Sequence, residues 1–159
     1  MAENRRARFD YEILETFEAG IELRGFEVKA VKSGRVNLAG SFALPRAHST
    51  SSGQATSRGD AEIWLLNCDI PPYQPKNTPH DYDPKRSRRL LLKKAEIKYL
   101  LGSITSRGLR LIPIKIYTKN NRIKLELGLG KAKRQIDKRE SLKKKEIKRE
   151  IARNLKKIR

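Results

Sequence analysis

The carboxylates, histidines and single cysteine are the side chains of this sequence that could support catalysis, because acid–base and metal-assisted reactions need such groups close together. The acidic residues concentrate near the N-terminus, at Asp10, Glu12, Glu15, Glu18, Glu22 and Glu27. On an alternating strand, Glu12, Glu18 and Glu22 share the face directed to solvent. His48 and His80 lie in predicted loops, with no serine or cysteine placed to complete a catalytic triad. The pattern indicates a solvated row of acids rather than an active site.

Other reactive motifs point the same way. Cys68 lies in an apolar segment, which predicts a buried thiol rather than a nucleophile, and a single cysteine cannot form an intramolecular disulfide. The sequence has no Cys/His cluster with metal-ligand spacing and no GxxxxGK[ST] phosphate loop. We therefore predict a binding protein that is not an enzyme and uses no metal or other cofactor.

The charge balance indicates the kind of partner. The 159 residues include 37 Lys and Arg against 18 Asp and Glu, a formal net charge of +19, which predicts a polyanion and in the first place nucleic acid. Residues 85–110 and 131–159 carry most of the excess. The sequence shows neither a run of about 20 apolar residues nor a signal-peptide pattern, so we expect a cytoplasmic protein with no membrane partner.

The N-terminal third predicts a strand followed by a helix. Residues 11–23 alternate between apolar and polar side chains, which is typical of a half-buried strand, and Gly20 within it suggests a bulge or bend. Residues 26–34 then predict a short helix that ends at Gly34. This order places the acidic row on the first long strand.

Further strands follow, separated by a flexible insertion. Apolar residues predict a strand near residues 41–44 and a core strand over 61–70, while the Ser-rich residues 46–60 between them predict a loop of no assigned function. Residues 109–117 and 122–130 predict a hairpin, because the Asn120-Asn121 pair tolerates the positive φ of a tight turn.

Two helical segments carry the basic tracts. Asp83 and Pro84 have the character of an N-cap and first-turn proline, and helical spacing continues at Ile97, Leu100, Leu101 and Ile104 as far as Gly108. In the C-terminal tract, Ile147, Ile151, Leu155 and Ile158 form one apolar stripe among Lys and Arg. We predict a helix there that forms only on a partner.

Together these elements predict a mainly β (β+α) fold. It is an OB-like closed β-barrel of about six antiparallel strands with flanking helices, a class that often binds nucleic acid. Residues 1–130 would form the RNA-binding barrel with its inserted loop, and residues 131–159 a basic tail.

Several sequence strings resemble the small protein B family, the SsrA-binding proteins. The matching residues are 4–11, 16–21, 25–29, 83–92 and 137–140, in order along nearly the whole chain. The resemblance implies binding to the tRNA-like domain of transfer-messenger RNA (SsrA RNA), where the protein fills the volume of the missing anticodon arm. It also implies delivery with elongation factor Tu and GTP to stalled ribosomes, and a tail placed in the empty mRNA channel near the decoding centre.

The resemblance also implies which residues make contact. The positions expected to face RNA are Asn4, Arg5, Glu18, Gly20 and Leu91, with phosphate contacts from Arg86, Arg88, Arg89, Lys93 and Lys94. The ribosome-binding tail positions are Lys131, Lys133, Arg134, Asp137, Lys138 and Arg139, continued by Lys143, Lys144 and Lys145. Ala132 and Ile136 depart from the usual glycine and the usual tyrosine or histidine.

Two other functions fit the same composition. A ribosomal or initiation-type OB protein would use its charge to bind ribosomal RNA, and an RNA-processing enzyme would need a site that the sequence does not show. For the protein resembling the SsrA-binding family we expect a monomer.

Overall fold

The structure is a computed structural model, and it describes residues 2–46 and 61–134, together with Ile147 and Ile151. The strands in this part of the chain are β1 Ala2–Glu3, β2 Tyr11–Ile21, β3 Phe42–Arg46, β4 Glu62–Leu66, β5 Arg88–Leu91, β6 Arg110–Lys119 and β7 Arg122–Ala132. The helices are α1 Arg5–Asp10, α2 Gly25–Lys32 and α3 Lys94–Arg107, with a 3-10 turn at Pro75–Asn77.

Six of these strands close into an antiparallel barrel. The sheet runs β6-β3-β4-β5-β2-β7, and β7 pairs again with β6 to complete the ring, while the short β1 adds to β6. The β3–β6 seam has one residue pair in the ladder, Ala43 with Leu111. The predicted mainly β, barrel-type fold is confirmed.

The main core fills the barrel. Leu125, Leu127 and Leu129 alternate along β7 and are fully buried, as period-two side chains on an inner face should be. Helix α3 closes part of the core with Leu100, also fully buried. Cys68 is buried in this core, which confirms the predicted buried thiol, and burial raises the pKa of that thiol to about 12.

Several predicted elements are confirmed. Helix α2 ends at Lys32, with Gly34 at φ +82°, and α3 ends at Gly108 with φ +61°. The hairpin of β6 and β7 turns at Asn120 and Asn121, with φ of 49° and 60°. These features depend on local chemistry, which the sequence displays directly.

Two predictions near the acidic strand and the basic tract need correction. The register of β2 with β7 is continuous through Gly20, so the bulge lies instead between Ile13 and Glu15, while Gly20 is where the pairing of β2 with β5 begins. Asp83 does not begin a helix: its Oδ1 accepts a hydrogen bond from Lys85 N at 2.8 Å in a turn. The chain then forms strand β5, which the sequence analysis missed, and α3 begins only at Lys94.

Two boundaries also differ from expectation. The core strand predicted over 61–70 is the shorter β4, because Asn67 takes a positive φ of 54° directly after it. Strand β7 continues to Ala132, so the barrel extends two residues past the predicted boundary at residue 130.

Candidate nucleic-acid interface

A row of paired residues crosses four strands on one face of the barrel. Gly20 on β2 lies between Leu91 on β5 and Lys124 on β7, and Lys124 pairs in turn with Tyr117 on β6. Residues opposite one another in register present their side chains on the same face, and so does Glu18, two residues before Gly20. We call Glu18, Gly20, Leu91, Tyr117, Lys119 and Lys124 the Glu18 face. The structure therefore brings together three of the positions expected to face RNA.

Glu18 is a fixed, ionised acceptor at the centre of this face. The Tyr117 hydroxyl donates to its carboxylate at 2.6 Å, Lys119 Nζ donates at 2.9 Å, and Lys124 Nζ lies 3.6 Å away. The Tyr117 hydrogen bond, followed by that of Lys119, lowers the pKa of Glu18 to about 2, and the same contact raises the pKa of Tyr117 to about 12. The Tyr117 hydroxyl and two lysines thus hold an ionised carboxylate in place on a cationic surface.

Leu91 and Gly20 form an apolar ledge beside that carboxylate. Leu91 is 50% exposed, although large apolar side chains are usually covered. A Cβ on Gly20 would lie 3.1 Å from the Leu91 Cβ, so glycine leaves room for Leu91 and for a flat group laid against it.

Helix α1 borders the Glu18 face, but Asn4 does not reach solvent. Asn4 is buried, its Oδ1 accepts from Ala7 N at 3.2 Å, and its Nδ2 donates to the Pro113 carbonyl at 3.1 Å. The expected RNA contact of Asn4 is therefore corrected: its side chain caps α1 and fixes the helix to β6. Arg5 is exposed, and Arg8 lies 3.9 Å from Glu126, the register partner of Glu18.

The phosphate contact expected of Arg88 is also corrected, because its charge is buried. Its guanidinium is fully buried and donates to Glu27, to the Cys68 carbonyl and to the Pro84 carbonyl. A group enclosed in this way cannot contact a phosphate. Arg88 instead fixes β5 to the segment that precedes it.

Glu27 is the carboxylate that this network surrounds. It also accepts two hydrogen bonds from Arg86, at 2.6 and 2.9 Å, and one from the Tyr82 hydroxyl at 3.1 Å. Burial alone would raise the pKa of Glu27, but hydrogen bonds from Arg86 and the Arg24 backbone, with the charge of Arg88, lower it to about 2. Arg86 is consequently engaged in the network rather than extended toward solvent.

The remaining cations of the first basic tract are accessible. Arg89 is 41% exposed and contacts Glu22 at 3.1 Å and Glu62 at 2.7 Å. Lys93 and Lys94 are exposed where α3 begins. Their accessibility allows phosphate contacts at these three positions, and those contacts stay a prediction.

Tyr117, Lys119 and Lys124 were missed by the sequence analysis. They lie on the β6–β7 hairpin. The sequence predicted that Lys124 alternates with the apolar Ile123 and Leu125, but it did not predict that β7 pairs with β2. The signal that could have found them is this alternation, read together with the pairing of β7 to β2.

The described part of the tail begins against the N-terminal helix. Lys133 donates from its backbone to the Asp10 carbonyl at 2.9 Å and from Nζ to the Arg8 carbonyl at 3.1 Å, while Lys131 and Arg134 are exposed. The other tail positions, Asp137, Lys138, Arg139, Lys143, Lys144 and Lys145, lie outside the described residues, as does most of the predicted conditional helix. Ile147 and Ile151 are helical and more than half exposed.

Among the residues that the structure describes, no helix is long and apolar enough to span a membrane, and no group of His, Cys, Asp and Glu could hold a metal ion. What the described part presents is an OB-like barrel with a cationic, partly apolar outer face. This is the class of small β-barrels that bind nucleic acids.

Comparison with known proteins identifies the family. The family model described as SmpB protein matches residues 1–157. Two curated relatives named SsrA-binding protein, from Synechocystis sp. and Thermosynechococcus vestitus, are 46% and 44% identical over 156 residues, which is 98% of this chain and 93% and 94% of theirs. The chain belongs to the SmpB protein family.

A solved structure agrees with this assignment. One of its chains is 44% identical and superposes with a TM-score of 0.62 over 89% of this chain and 93% of that one. That structure is described as "tmRNA-SmpB: a journey to the center of the bacterial ribosome".

Proposed function

We propose that this protein binds SsrA RNA, the transfer-messenger RNA, and acts with it on stalled ribosomes in trans-translation. The observation that carries the proposal is the Glu18 face, where an ionised carboxylate, two lysines and an apolar ledge lie on paired strands. The names of the relatives and the ribosomal context of the solved structure support the same function.

The chemistry of the Glu18 face suits a folded RNA with unpaired bases. The Glu18 carboxylate can accept hydrogen bonds from base amino groups or 2′-hydroxyls, which single-stranded loops expose. Leu91 packs against an unstacked base, with Gly20 leaving the space. Arg5, Arg89, Lys93 and Lys94 contact phosphates and so position the RNA without reading its sequence. The tRNA-like domain is the part of the RNA that we assign to this face.

The basic tail has a second role in this proposal. Residues 131–159 enter the empty mRNA channel beside the decoding centre, where a tract so rich in lysine and arginine meets ribosomal RNA. Elongation factor Tu with GTP joins the complex through the RNA. The protein acts as a monomer in the cytoplasm and has no catalytic step of its own.

A ribosomal or initiation-type OB protein remains the second candidate, because ribosomal RNA would be attracted by the same charge. Pull-down of the full-length chain from a bacterial lysate, followed by RNA sequencing, separates the two. Transfer-messenger RNA should dominate the bound fraction. Dominant ribosomal RNA without transfer-messenger RNA would reject the proposal.

Substitution of Glu18 tests the face directly. Glu18→Arg should weaken binding of transfer-messenger RNA about 10-fold or more although it adds positive charge, because hydrogen bonds to a charged group contribute about 1.5–3 kcal/mol. The matched control is Glu12→Arg, an exposed acid at the other end of β2. It makes the same charge change and should leave affinity unchanged or raised. Equal effects of the two variants in a filter-binding titration would show that Glu18 is only a surface acid.

A further inference from the structure

A second exposed face lies next to the Glu18 face, on strands β3, β4 and β5. In register, Phe42 is opposite Leu66, Leu44 is opposite Trp64, and Trp64 is opposite Arg89. These side chains therefore lie together on the outer surface of the barrel, since their neighbours Ala43, Ile63, Leu65 and Leu90 are buried inside it. We call Phe42, Leu44, Arg46, Trp64 and Arg89 the aromatic face.

The aromatic face is unusually apolar for a solvent-exposed surface. Phe42 is 42% exposed and Leu44 is 46% exposed. The guanidinium carbon of Arg46 lies 5.7 Å from the centre of the Trp64 ring, a cation–π distance. Phe42 is thus an exposed ring beside the half-buried Trp64 and its arginine, the kind of surface on which proteins stack unpaired bases.

Arg89 joins the aromatic face to the Glu18 face. It pairs with Trp64 on one side and is two residues before Leu91, which pairs with Gly20. Contacts to Glu22 and Glu62 hold its guanidinium while leaving it 41% exposed. A guanidinium held in this way can contact a phosphate between the two faces, which form one continuous surface.

We propose that the aromatic face binds an unpaired base of the same transfer-messenger RNA that the Glu18 face binds. This inference rests on the proposed function and adds a stacking site to it. A base placed on Phe42 would contact the Trp64–Arg46 pair at its edge, and its phosphate would lie near Arg46. Continuity with the Glu18 face and the presence of Arg46 and Arg89 beside the rings favour RNA over an apolar protein partner.

The tryptophan content of the chain provides a direct readout. Trp64 is the single tryptophan of the sequence, so fluorescence excited at wavelengths that tyrosine does not absorb reports on the aromatic face of the full-length protein. Titration with transfer-messenger RNA should quench this emission in parallel with binding measured independently by gel shift. Binding at the Glu18 face without contact here would leave the emission unchanged.

Matched variants separate stacking from general effects. Phe42→Leu removes an exposed ring but keeps an apolar side chain, so the fold should be retained. It should weaken RNA binding about 5-fold or more, since a stacked base contributes about 1–3 kcal/mol. The control is Tyr73→Leu. Tyr73 is also an exposed ring with an arginine, Arg35, 5.6 Å from its centre, but it lies in the segment after β4 and is not part of the strands that form the aromatic face. Its substitution should change affinity by less than twofold.

The possible outcomes separate failure of this inference from failure of the proposed function on which it rests. If the wild-type chain binds transfer-messenger RNA but its emission is unchanged and Phe42→Leu binds normally, the aromatic face is not an RNA site and the proposed function stands. If the wild-type chain does not bind this RNA at all, the proposed function fails, and the inference with it. Quenching by isolated small ribosomal subunits but not by transfer-messenger RNA would assign the face to ribosomal RNA and overturn the inference.

Discussion

Glu27 shows how much the role of a single charged residue depends on tertiary contacts. In the sequence it is one acid among several near the N-terminus, and Arg88 is one cation among many in a basic tract. In the structure both side chains are fully buried and their oxygen and nitrogen atoms lie 2.8 Å apart. Arg88 and Leu90 share one face of β5, but nothing local in the sequence shows that this face is the inside of a closed barrel.

Contacts between residues distant in sequence also explain which other site residues could be predicted and which could not. Glu18 was placed correctly on the exposed side by the parity of its strand, and Leu91 by its match to a family string. Tyr117 and Lys119, which hold Glu18, are about 100 positions away along the chain. Their contribution depends on strand pairing over that separation, which periodicity does not encode.

Replacing Glu27 should destabilise the fold in a pH-dependent way. Glu27→Gln leaves the cations of Arg86 and Arg88 without their counter-charge and should cost about 3 kcal/mol of unfolding free energy at pH 7. The folded-state pKa of Glu27 is lowered from its ordinary 4.5 to about 2, so its stabilisation is complete above pH 4.5 and is lost as the pH falls toward 2. The difference between wild type and variant in urea unfolding should therefore narrow over that range.

An exposed ion pair gives the control for this measurement. Glu22 contacts Arg89 at 3.1 Å but its side chain is 62% exposed, so Glu22→Gln should change stability by less than about 1 kcal/mol. A loss as large as that of Glu27→Gln would mean that burial does not account for the effect. If the difference in unfolding free energy between wild type and Glu27→Gln stayed constant down to pH 2, the lowered pKa of Glu27 would be contradicted.

At the scale of elements, the sequence predicted what local chemistry determines. The two asparagines of the hairpin turn and the glycines at 34 and 108 fixed where elements end. Helix α1 was missed because it has only six residues and buries mainly Ala7, too little for a visible periodicity. Strand β5 was missed because its four residues pair with β2 and β4, so its conformation is imposed by its neighbours.

Two glycines should respond to alanine in opposite directions. Gly102 lies inside α3 with nothing within 4 Å of an added Cβ, so Gly102→Ala should raise the unfolding free energy by about 0.5–1 kcal/mol through helix propensity. A Cβ at Gly130 would clash with the Glu12 carbonyl of the paired strand, and backbone cannot move aside as a side chain can. Gly130→Ala should therefore cost about 3 kcal/mol.

Both variants are measured against wild type by thermal and urea unfolding. Because each replaces a glycine by an alanine, the pair controls for the change in backbone conformational entropy of the unfolded chain. If Gly130→Ala were as stable as wild type, Gly130 and the Glu12 carbonyl of the paired strand would have to be farther apart than the structure shows.

The whole molecule divides its charge between a barrel and a tail. The Glu18 face holds its lysines against a carboxylate, whereas residues 131–159 combine fourteen basic with four acidic residues. Such a tail attracts any polyanion, but at physiological ionic strength its field is screened within about 8 Å. Affinity for a folded RNA should therefore come from the barrel, unless the tail touches that RNA directly.

Truncation can test this division if the cut respects the fold. Ending the chain at Gly130 would remove Ala132, which pairs with Tyr11, and Lys133, whose backbone bonds to Asp10. A chain ending at Arg134 keeps both contacts and the complete barrel. It should bind transfer-messenger RNA within about 10-fold of the full-length chain at 0.15 M salt, since distant charges are screened. In a reconstituted rescue reaction it should nevertheless be inactive, because no tail remains to occupy the mRNA channel.

A chain with a scrambled tail of the same composition separates charge from sequence in that experiment. It restores the +10 of residues 131–159 but not the helical spacing of Ile147 and Ile151. If the tail is read as an ordered element, the scrambled chain should bind RNA like wild type and still fail in rescue. Full rescue by the scrambled chain would show that charge alone suffices. The chain ending at Arg134 could instead lose RNA affinity by 100-fold or more. Such a loss exceeds what screened charges supply and would show that barrel and tail both contact the same RNA.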